Sequence, residues 1–215
     1  AMKVPFLADL LRSDSIYLCH NITINNLAPI ATFLGMIGNP SLGGLSVAEF
    51  KRRQSLHRVA EIAAMMDVRE FIGKAQETYG YPNFINDAGG SLCELDEPSL
   101  LQQLAEDTLI LYLKPPEAML AKIIERSLLD PKPMYYQSSF LDRVLPEYLA
   151  EKDLNSADEI VPNDFFCWIF PRLVEHRLPR YQIIADEYGV VLEADQIDGI
   201  RGEADFIELI CEALG

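Results

Sequence analysis

Short apolar runs alternate along this chain with longer segments in which apolar residues recur at helical spacing. The clearest run is TLILYL at 108–113, which is apolar at successive positions and predicts a central parallel strand buried on both faces. Weaker runs predict strands at 15–19, 83–86 and 189–194. Strands separated by helical segments predict an α/β fold, a parallel sheet flanked by helices.

Capping residues and apolar spacing predict the helices between these strands. A helix over 47–66 follows Ser46, an N-cap residue with Glu49 three positions on, and a helix over 68–80 closes at Gly80. Further helices are predicted at 97–107, 116–129, 179–188 and 203–214, and residues 140–178 are predicted to be helical around a polar loop. We therefore predict a single domain over 1–215, with a helical subdomain at 35–80 and a helical insertion at 134–178.

Charge and cysteine usage exclude several classes of function. The chain carries 18 Lys and Arg against 33 Asp and Glu, a net charge of −15, which argues against a nucleic-acid partner. No apolar run approaches the roughly 20 residues that cross a bilayer, so no membrane partner is expected. The first residues also lack the apolar core of a signal peptide. The four cysteines form no C-x-x-C pair, which argues against a zinc site or a disulfide scaffold and favours a cytoplasmic location.

A basic cluster stands out from this acidic background. His176, Arg177 and Arg180 lie together in EHRLPRYQIIADEYG, just ahead of a predicted helix and strand. A local concentration of cations on an acidic protein predicts a binding site for a small anion.

A second arginine occurs in a similar setting, and the two together suggest a family. GGLSVAEFKRRQSLHRVAE places Arg58 and Glu61 at R-x-x-E spacing, and EHRLPRYQ places Arg177 ahead of Pro179. These segments resemble the shikimate kinase group of P-loop phosphotransferases, relatives of the nucleoside monophosphate kinases. The resemblance implies that Arg58 and Arg177 bind the carboxylate of a small anionic substrate, because a guanidinium donates two parallel hydrogen bonds. A solvated helix face or helix terminus is the alternative.

A third segment, FINDAGGSLCELDE, resembles the family's strand that ends in a glycine-rich corner. The resemblance implies that Gly89, Gly90 and Ser91 contact the substrate, and that Asp87 acts in catalysis by holding Mg²⁺ as a Walker-B-type carboxylate. The alternative for Asp87 is a turn residue that caps its own backbone.

A fourth segment, RSLLDPKPMYY, resembles the lid that closes over the nucleotide. The resemblance implies that Lys132 and Arg126 bind ATP, with Lys132 also acting in catalysis. Lys132 stands where the family has an arginine, so it offers a point charge and not a bidentate contact. An ordinary cation at a helix C-terminus is the alternative for Arg126.

The Walker A motif that this family needs is missing. No G-x-x-x-x-G-K-[ST] occurs, although its amides and lysine are what hold the phosphates. One explanation is that a P-loop lies upstream of Ala1 in a longer protein. The other is that 15–19 is the first strand, and that the loop HNITINN after it, with His20 and Asn21, no longer binds phosphate. A sheet that lacks its central strand would favour a homodimer.

Three functions are therefore in competition. The first is a kinase-like ATPase for a small anionic substrate, using ATP and Mg²⁺ and inactive without a P-loop. The second is a non-catalytic binding or assembly module on that scaffold, in which Phe165, Phe166, Trp168 and Phe170 could meet a partner helix or simply pack in the core. The third is a hydrolase built on His57 and Glu61, a pair one helical turn apart, but no serine or cysteine has a nucleophile motif.

Overall fold

The structure, a computed structural model, describes residues 32–215 of the chain. Within this range, helices surround a small parallel sheet. In chain order the elements are α1 (Val47–Met66), α2 (Val68–Tyr79), α3 (Pro98–Asp107), β1 (Ile110–Lys114), α4 (Glu117–Leu129), α5 (Ser138–Glu151), α6 (Pro162–Tyr188), β2 (Gly189–Glu193) and α7 (Glu203–Leu214). Short 3-10 helices lie at Pro40–Leu42, Leu92–Glu94, Ala157–Glu159 and Ala194–Gly199. None of the described helices combines the length and hydrophobicity needed to cross a membrane.

The sheet consists of β1 and β2, which pair in parallel from Ile110 opposite Gly189 to Lys114 opposite Glu193. Gly189 is required at this contact, because a Cβ there would lie 2.0 Å from the carbonyl oxygen of Ile110. The sequence analysis predicted both strands and their parallel direction. It was wrong that β1 is buried on both faces: Leu113 is 45% exposed, and among the described residues β1 pairs with β2 alone. The predicted strand at 15–19, with His20 and Asn21, lies outside the described residues.

The predicted strand at 83–86 is absent. Residues 81–88 form an irregular connection, in which the side chain of Ile85 is 80% exposed. A strand needs a neighbour to satisfy its backbone groups, and no described strand pairs with this segment.

Helix α6 also differs from the prediction. Pro179 was expected to begin a new helix, but α6 continues through both Pro171 and Pro179 to Tyr188. An interior proline costs about 3 kcal/mol through a lost hydrogen bond and a steric clash. Tertiary packing offsets this cost, because side chains before and after Pro179, including Leu173 and Ile184, are buried. The predicted boundary at 178 therefore falls inside a helix.

Local capping signals in the sequence are confirmed. The Ser46 side chain accepts a hydrogen bond from the Glu49 amide at 3.3 Å, and Gly80 closes α2 with a positive φ of 66°. The Glu49 carboxylate turns to Arg52 and Arg53, so it does not complete a capping box with the Ser46 backbone.

The main core joins segments that are distant in sequence. It includes Ile37 and Phe50 from the predicted 35–80 subdomain, and Phe140, Ile169 and Leu173 from the predicted 134–178 insertion. These two regions therefore share one buried cluster. A smaller core cluster lies beneath α2 and α3 and is built on Val68, Leu95, Leu100 and Leu104.

Candidate functional site

Three arginines converge on one turn of the chain at residues 90–96. Arg58 comes from α1, and Arg177 and Arg180 come from α6. We call this turn and these three side chains the arginine hub. The turn contains the 3-10 helix Leu92–Glu94 and connects the glycine pair to α3.

Arg177 is bound to a carboxylate of the protein itself. Its Nε donates to Glu94 Oε2 at 2.6 Å, its Nη2 also contacts that oxygen, and Nη2 donates to the carbonyl of Tyr135 at 2.9 Å. Glu94 is fully buried and Arg177 is only 7% exposed. The other carboxylate oxygen of Glu94 accepts from the Gln137 amide at 3.3 Å. The guanidinium predicted to hold a substrate anion therefore already holds an internal one.

Arg58 and Arg180 bind the same turn through its backbone. Arg58 donates from Nε to the Leu95 carbonyl at 2.7 Å and from Nη2 to the Asp96 carbonyl at 3.3 Å. Arg180 donates from Nη1 to the Cys93 carbonyl at 3.3 Å and to Asp96 Oδ1 at 3.2 Å. Arg58 and Arg177, which the sequence analysis expected to bind one anion, therefore do meet at this turn. There they donate hydrogen bonds to oxygens of the protein itself.

Asp96 adopts a backbone conformation that L-residues rarely use. Its φ is 46°, in the left-handed region, which aspartate tolerates better than most residues. The Arg58 and Arg180 bonds hold this conformation, together with a hydrogen bond from the Gln137 side-chain amide to the Asp96 carboxylate. The turn is thus fixed by its neighbours and not by its own local preference.

Burial controls the protonation behaviour of the hub. It raises the pKa of Glu94 against the opposing charge of Arg177. Burial also raises the pKa of the Cys93 thiol to about 11, so this cysteine is a poor nucleophile at neutral pH. Burial and the charge of Arg180 lower the pKa of His176, whose Nε2 is buried, lies 3.9 Å from Glu94 and has no hydrogen-bond partner.

A serine contacts the His–Glu pair that sequence analysis considered for hydrolysis. Ser91 Oγ donates to Glu61 Oε1 at 2.6 Å, and Glu61 Oε2 lies 3.2 Å from His57 Nε2 without hydrogen-bond geometry. The carboxylate therefore lies between the serine and the histidine. In the triad logic of acyl transfer, the histidine contacts the nucleophile and the carboxylate orients the histidine. This arrangement is better suited to anchoring the turn to α1 than to activating Ser91.

The glycine pair lies at the exposed side of the hub. Gly89 and Gly90 are both exposed, and the Gly90 carbonyl accepts a hydrogen bond from the Tyr181 hydroxyl. A Cβ at Gly90 would lie 3.3 Å from Arg177 Nη1, so a small residue suits the position. The predicted substrate-binding corner is therefore in contact with the side chains of α6.

The remaining predicted site residues are solvent-exposed and, among the described residues, form no hydrogen bond or ion pair with the hub. Lys132 pairs with Asp130 at 2.9 Å, and Arg126 lies in the last turn of α4 without an ion pair among the described residues. Asp87 is exposed in the irregular connection before the glycines. Within residues 32–215, no group of three or more His, Cys, Asp or Glu side chains is arranged to hold a metal ion. ATP and Mg²⁺ binding by these residues remain predictions.

A separate cavity of about 550 Å³ lies between the end of α5 and the start of α6. Tyr148, Lys152, Glu159, Asp164 and Trp168 contribute to its lining. Sequence analysis missed it, although FFCWIF drew attention to the segment. The three phenylalanines of that segment, Phe165, Phe166 and Phe170, are buried in the protein, and Trp168 faces the cavity.

Sequence reasoning also missed the acidic partners of the hub. Glu94 and Asp96 stand in CELDE directly after the glycine corner, close to where a substrate anion was expected. Buried charges require partners, so acidic residues beside a predicted arginine site were the available signal for an internal pair.

Comparison of the chain with protein-family models, with curated proteins and with solved structures finds no match. The resemblance to the shikimate kinase group therefore has no relative to support it and stays a prediction.

Proposed function

We propose that this protein is a non-catalytic binding module in which the arginine hub is a structural element. One observation carries this proposal: Arg177 is buried and bound to Glu94 and to the Tyr135 carbonyl. A substrate anion that took Nε and Nη2 of Arg177 would have to displace a carboxylate that is fixed in the chain and has no solvent to move into. We therefore infer that the hub holds α1, α6 and the 90–96 turn together.

The residues that a phosphotransfer reaction would require support the same proposal. The chain has no Walker A sequence to hold phosphates. The lysine predicted for the lid, Lys132, is paired with Asp130, and among residues 32–215 Asp87 belongs to no group of three or more His, Cys, Asp or Glu side chains that could hold a metal ion.

Exposed apolar side chains favour a binding role over catalysis. Tyr79 and Tyr81 stack with ring centroids 5.4 Å apart, and both are largely exposed. Phe84 and Ile85 are exposed in the same stretch of chain. Large apolar side chains grouped on a surface are typical of interaction sites.

A kinase-like ATPase is the second candidate. It is favoured by the meeting of Arg58 and Arg177 at the 90–96 turn next to the glycine pair. It requires that Glu94 be displaced and that a phosphate-binding loop come from elsewhere.

Isothermal titration calorimetry of the full chain with ATP and Mg²⁺, and separately with a small dicarboxylate such as malonate, distinguishes the two candidates. The binding-module proposal predicts no saturable heat in either titration. The variant Lys132→Gln provides the check, because Lys132 is exposed and its loss leaves the fold intact. Saturable ATP·Mg²⁺ binding that Lys132→Gln weakens would establish the kinase-like alternative and overturn the proposal.

A further inference from the structure

The cavity between α5 and α6 has the size and the wall chemistry of a small-molecule site. Its volume of about 550 Å³ lies within the range of roughly 300–1,000 Å³ that is usual for ligand pockets. The α5 side contributes Tyr148, and the start of α6 contributes Asp164, Cys167 and Trp168. None of the arginine-hub residues lines it, so the cavity is independent of the site described above.

Two aromatic rings form one wall. Tyr148 and Trp168 pack edge to face, with centroids 5.2 Å apart, and Trp168 is held by a hydrogen bond from its Nε1 to Glu151 at 2.8 Å. Tyr148 is only 3% exposed, yet among residues 32–215 its hydroxyl has no hydrogen-bond partner. The hydroxyl is not one of the buried unpartnered atoms, so it reaches the open side of the cavity and offers an unused polar contact to a ligand.

The cavity lining carries two negative side chains and one positive side chain. The one lining cation, Lys152, lies 3.7 Å from Glu151, which is not itself part of the lining. The two lining carboxylates, Glu159 and Asp164, form no ion pair with any described residue. Burial raises the pKa of the Tyr148 hydroxyl, and the nearby negative charge of Asp164 raises it further. An anionic ligand would be repelled here, whereas a cation would find two unpaired carboxylates.

The wall already binds one guanidinium group. Arg172 lies over the Trp168 ring, with its Cζ 3.7 Å from the ring centroid, and its Nη2 is 3.8 Å from Glu151. Aromatic rings with nearby carboxylates attract organic cations through the ring quadrupole and through charge. Inside the cavity, the Asp164 carboxylate lies near the Tyr148 hydroxyl, so two oxygen acceptors for a cation stand close together there.

We propose that this cavity binds a small organic cation, an ammonium or guanidinium group on a short apolar stem. The cation would lie between the carboxylates of Glu159 and Asp164 and donate a further hydrogen bond to the Tyr148 hydroxyl oxygen, with its stem against Trp168 and Leu154. This inference rests on the proposed function, since it names the ligand class of the binding module.

Trp168 is the only tryptophan of the chain, so intrinsic tryptophan fluorescence reports on this wall alone. We would titrate the full chain with Nα-acetylarginine amide and, as a matched neutral probe, with Nα-acetylcitrulline amide, and repeat both titrations by calorimetry. The proposal predicts a saturable response to the arginine probe and none to the citrulline probe. Added salt should weaken the response, because the attraction is electrostatic.

Charge-removing variants locate the site. Asp164→Asn and Glu159→Gln should each weaken binding of the arginine probe by up to about fivefold, since the attraction between a cation and an exposed carboxylate is modest. Asp158→Asn is the matched control, because it removes the same charge one residue away from the lining and should leave binding unchanged.

Equal binding of the two probes, an equal effect of Asp158→Asn and Asp164→Asn, or the absence of both a fluorescence and a calorimetric response would overturn the cation site. These failures leave the non-catalytic proposal standing. ATP·Mg²⁺ binding sensitive to Lys132→Gln would instead overturn the proposed function, whatever the cavity binds.

Discussion

The arginine hub and the cavity between α5 and α6 contain similar charged groups, but within residues 32–215 the carboxylates are paired in the hub and unpaired at the cavity. In the hub, Glu94 and Arg177 are buried against each other, and Nε and Nη2 of Arg177 are bound to Glu94 and to the Tyr135 carbonyl. At the cavity, Glu159 and Asp164 are exposed and have no ion-pair partner among the described residues. A cluster of charge is therefore not sufficient to identify a binding site. The availability of its hydrogen-bonding groups decides whether a ligand can use it.

The largest expected difference between the two regions is in folding stability. Arg177→Met leaves the Glu94 carboxylate buried without a counter-ion, and breaking a buried pair in this way costs about 3–5 kcal/mol. Asp164→Asn at the cavity should change the free energy of unfolding by less than about 0.5 kcal/mol, because that carboxylate is exposed. Urea denaturation of both variants gives these values.

The double variant Arg177→Met, Glu94→Leu provides the control for the pair. It removes both charges, so it should be more stable than Arg177→Met alone. If Arg177→Met unfolds at the same urea concentration as the original protein, the hub is not a structural element and the comparison fails.

A smaller effect is expected where the hub contacts α1. Ser91→Ala removes the hydrogen bond to the mostly buried Glu61 and should destabilise the protein by about 1–3 kcal/mol, the penalty for an unsatisfied buried acceptor. Ser99→Ala removes a hydrogen bond of the same 2.6 Å length to Glu97 at an exposed position, and should cost less than about 0.5 kcal/mol. Thermal unfolding of the two variants gives the comparison, and equal losses would contradict it.

His176 makes the stability of the hub dependent on pH. Burial and the charges of Arg180, Arg143 and Arg177 lower its pKa from the usual 6.5, and the opposing charge of Asp96 is the smaller effect. Below pH 6.5 the unfolded chain therefore binds more protons than the folded one, so this contribution to stability is present at neutral pH and is lost as the pH falls.

The difference in unfolding free energy between the original protein and His176→Gln measures this contribution. It should shrink as the pH is lowered below 6.5, and an NMR titration should place the His176 pKa below that value. Glu94 titrates in both proteins, so it largely cancels from the difference. A His176 pKa above 6.5 would mean that Glu94 and Asp96 dominate its surroundings and not the arginines.

Thiol reactivity distinguishes the regions without perturbing either. Cys93 in the hub is buried and its pKa is raised to about 11, whereas Cys167 lines the cavity and Cys211 is exposed. Among these three cysteines of the described residues, alkylation at mildly basic pH followed by peptide mass spectrometry should modify Cys211 first, Cys167 more slowly and Cys93 last. Modification of Cys93 as fast as Cys211 would show that the hub opens readily.

Sequence reasoning succeeded where the signal is local. The caps at Ser46 and Gly80, the helices they bound, and the strand after Tyr188 depend on neighbouring residues, and the structure contains them. It failed where tertiary contacts override local preference. Helix α6 continues through Pro179 because the packing of its buried face outweighs the interior proline, and residues 83–86 form no strand because no described neighbour pairs with them.

The candidate sites were harder to predict than the elements. The sequence shows Arg177 as part of a cationic cluster, but its partner Glu94 is 83 positions away, and the pattern of one segment gives no information on that pairing. The cavity depends on how the end of α5 lies against the start of α6, which likewise has no local signal. Residue types suggested charge recognition, and only the fold indicates which charges remain available.

The central claim, that Nε and Nη2 of Arg177 are held by Glu94 and the Tyr135 carbonyl, is tested most directly by NMR of the guanidinium group. Our account predicts a Nε–H resonance of Arg177 that exchanges slowly with solvent and does not move when phosphate or malonate is added. A saturable shift of that resonance with either anion would contradict the account, because it would mean that Glu94 gives way to an external ligand.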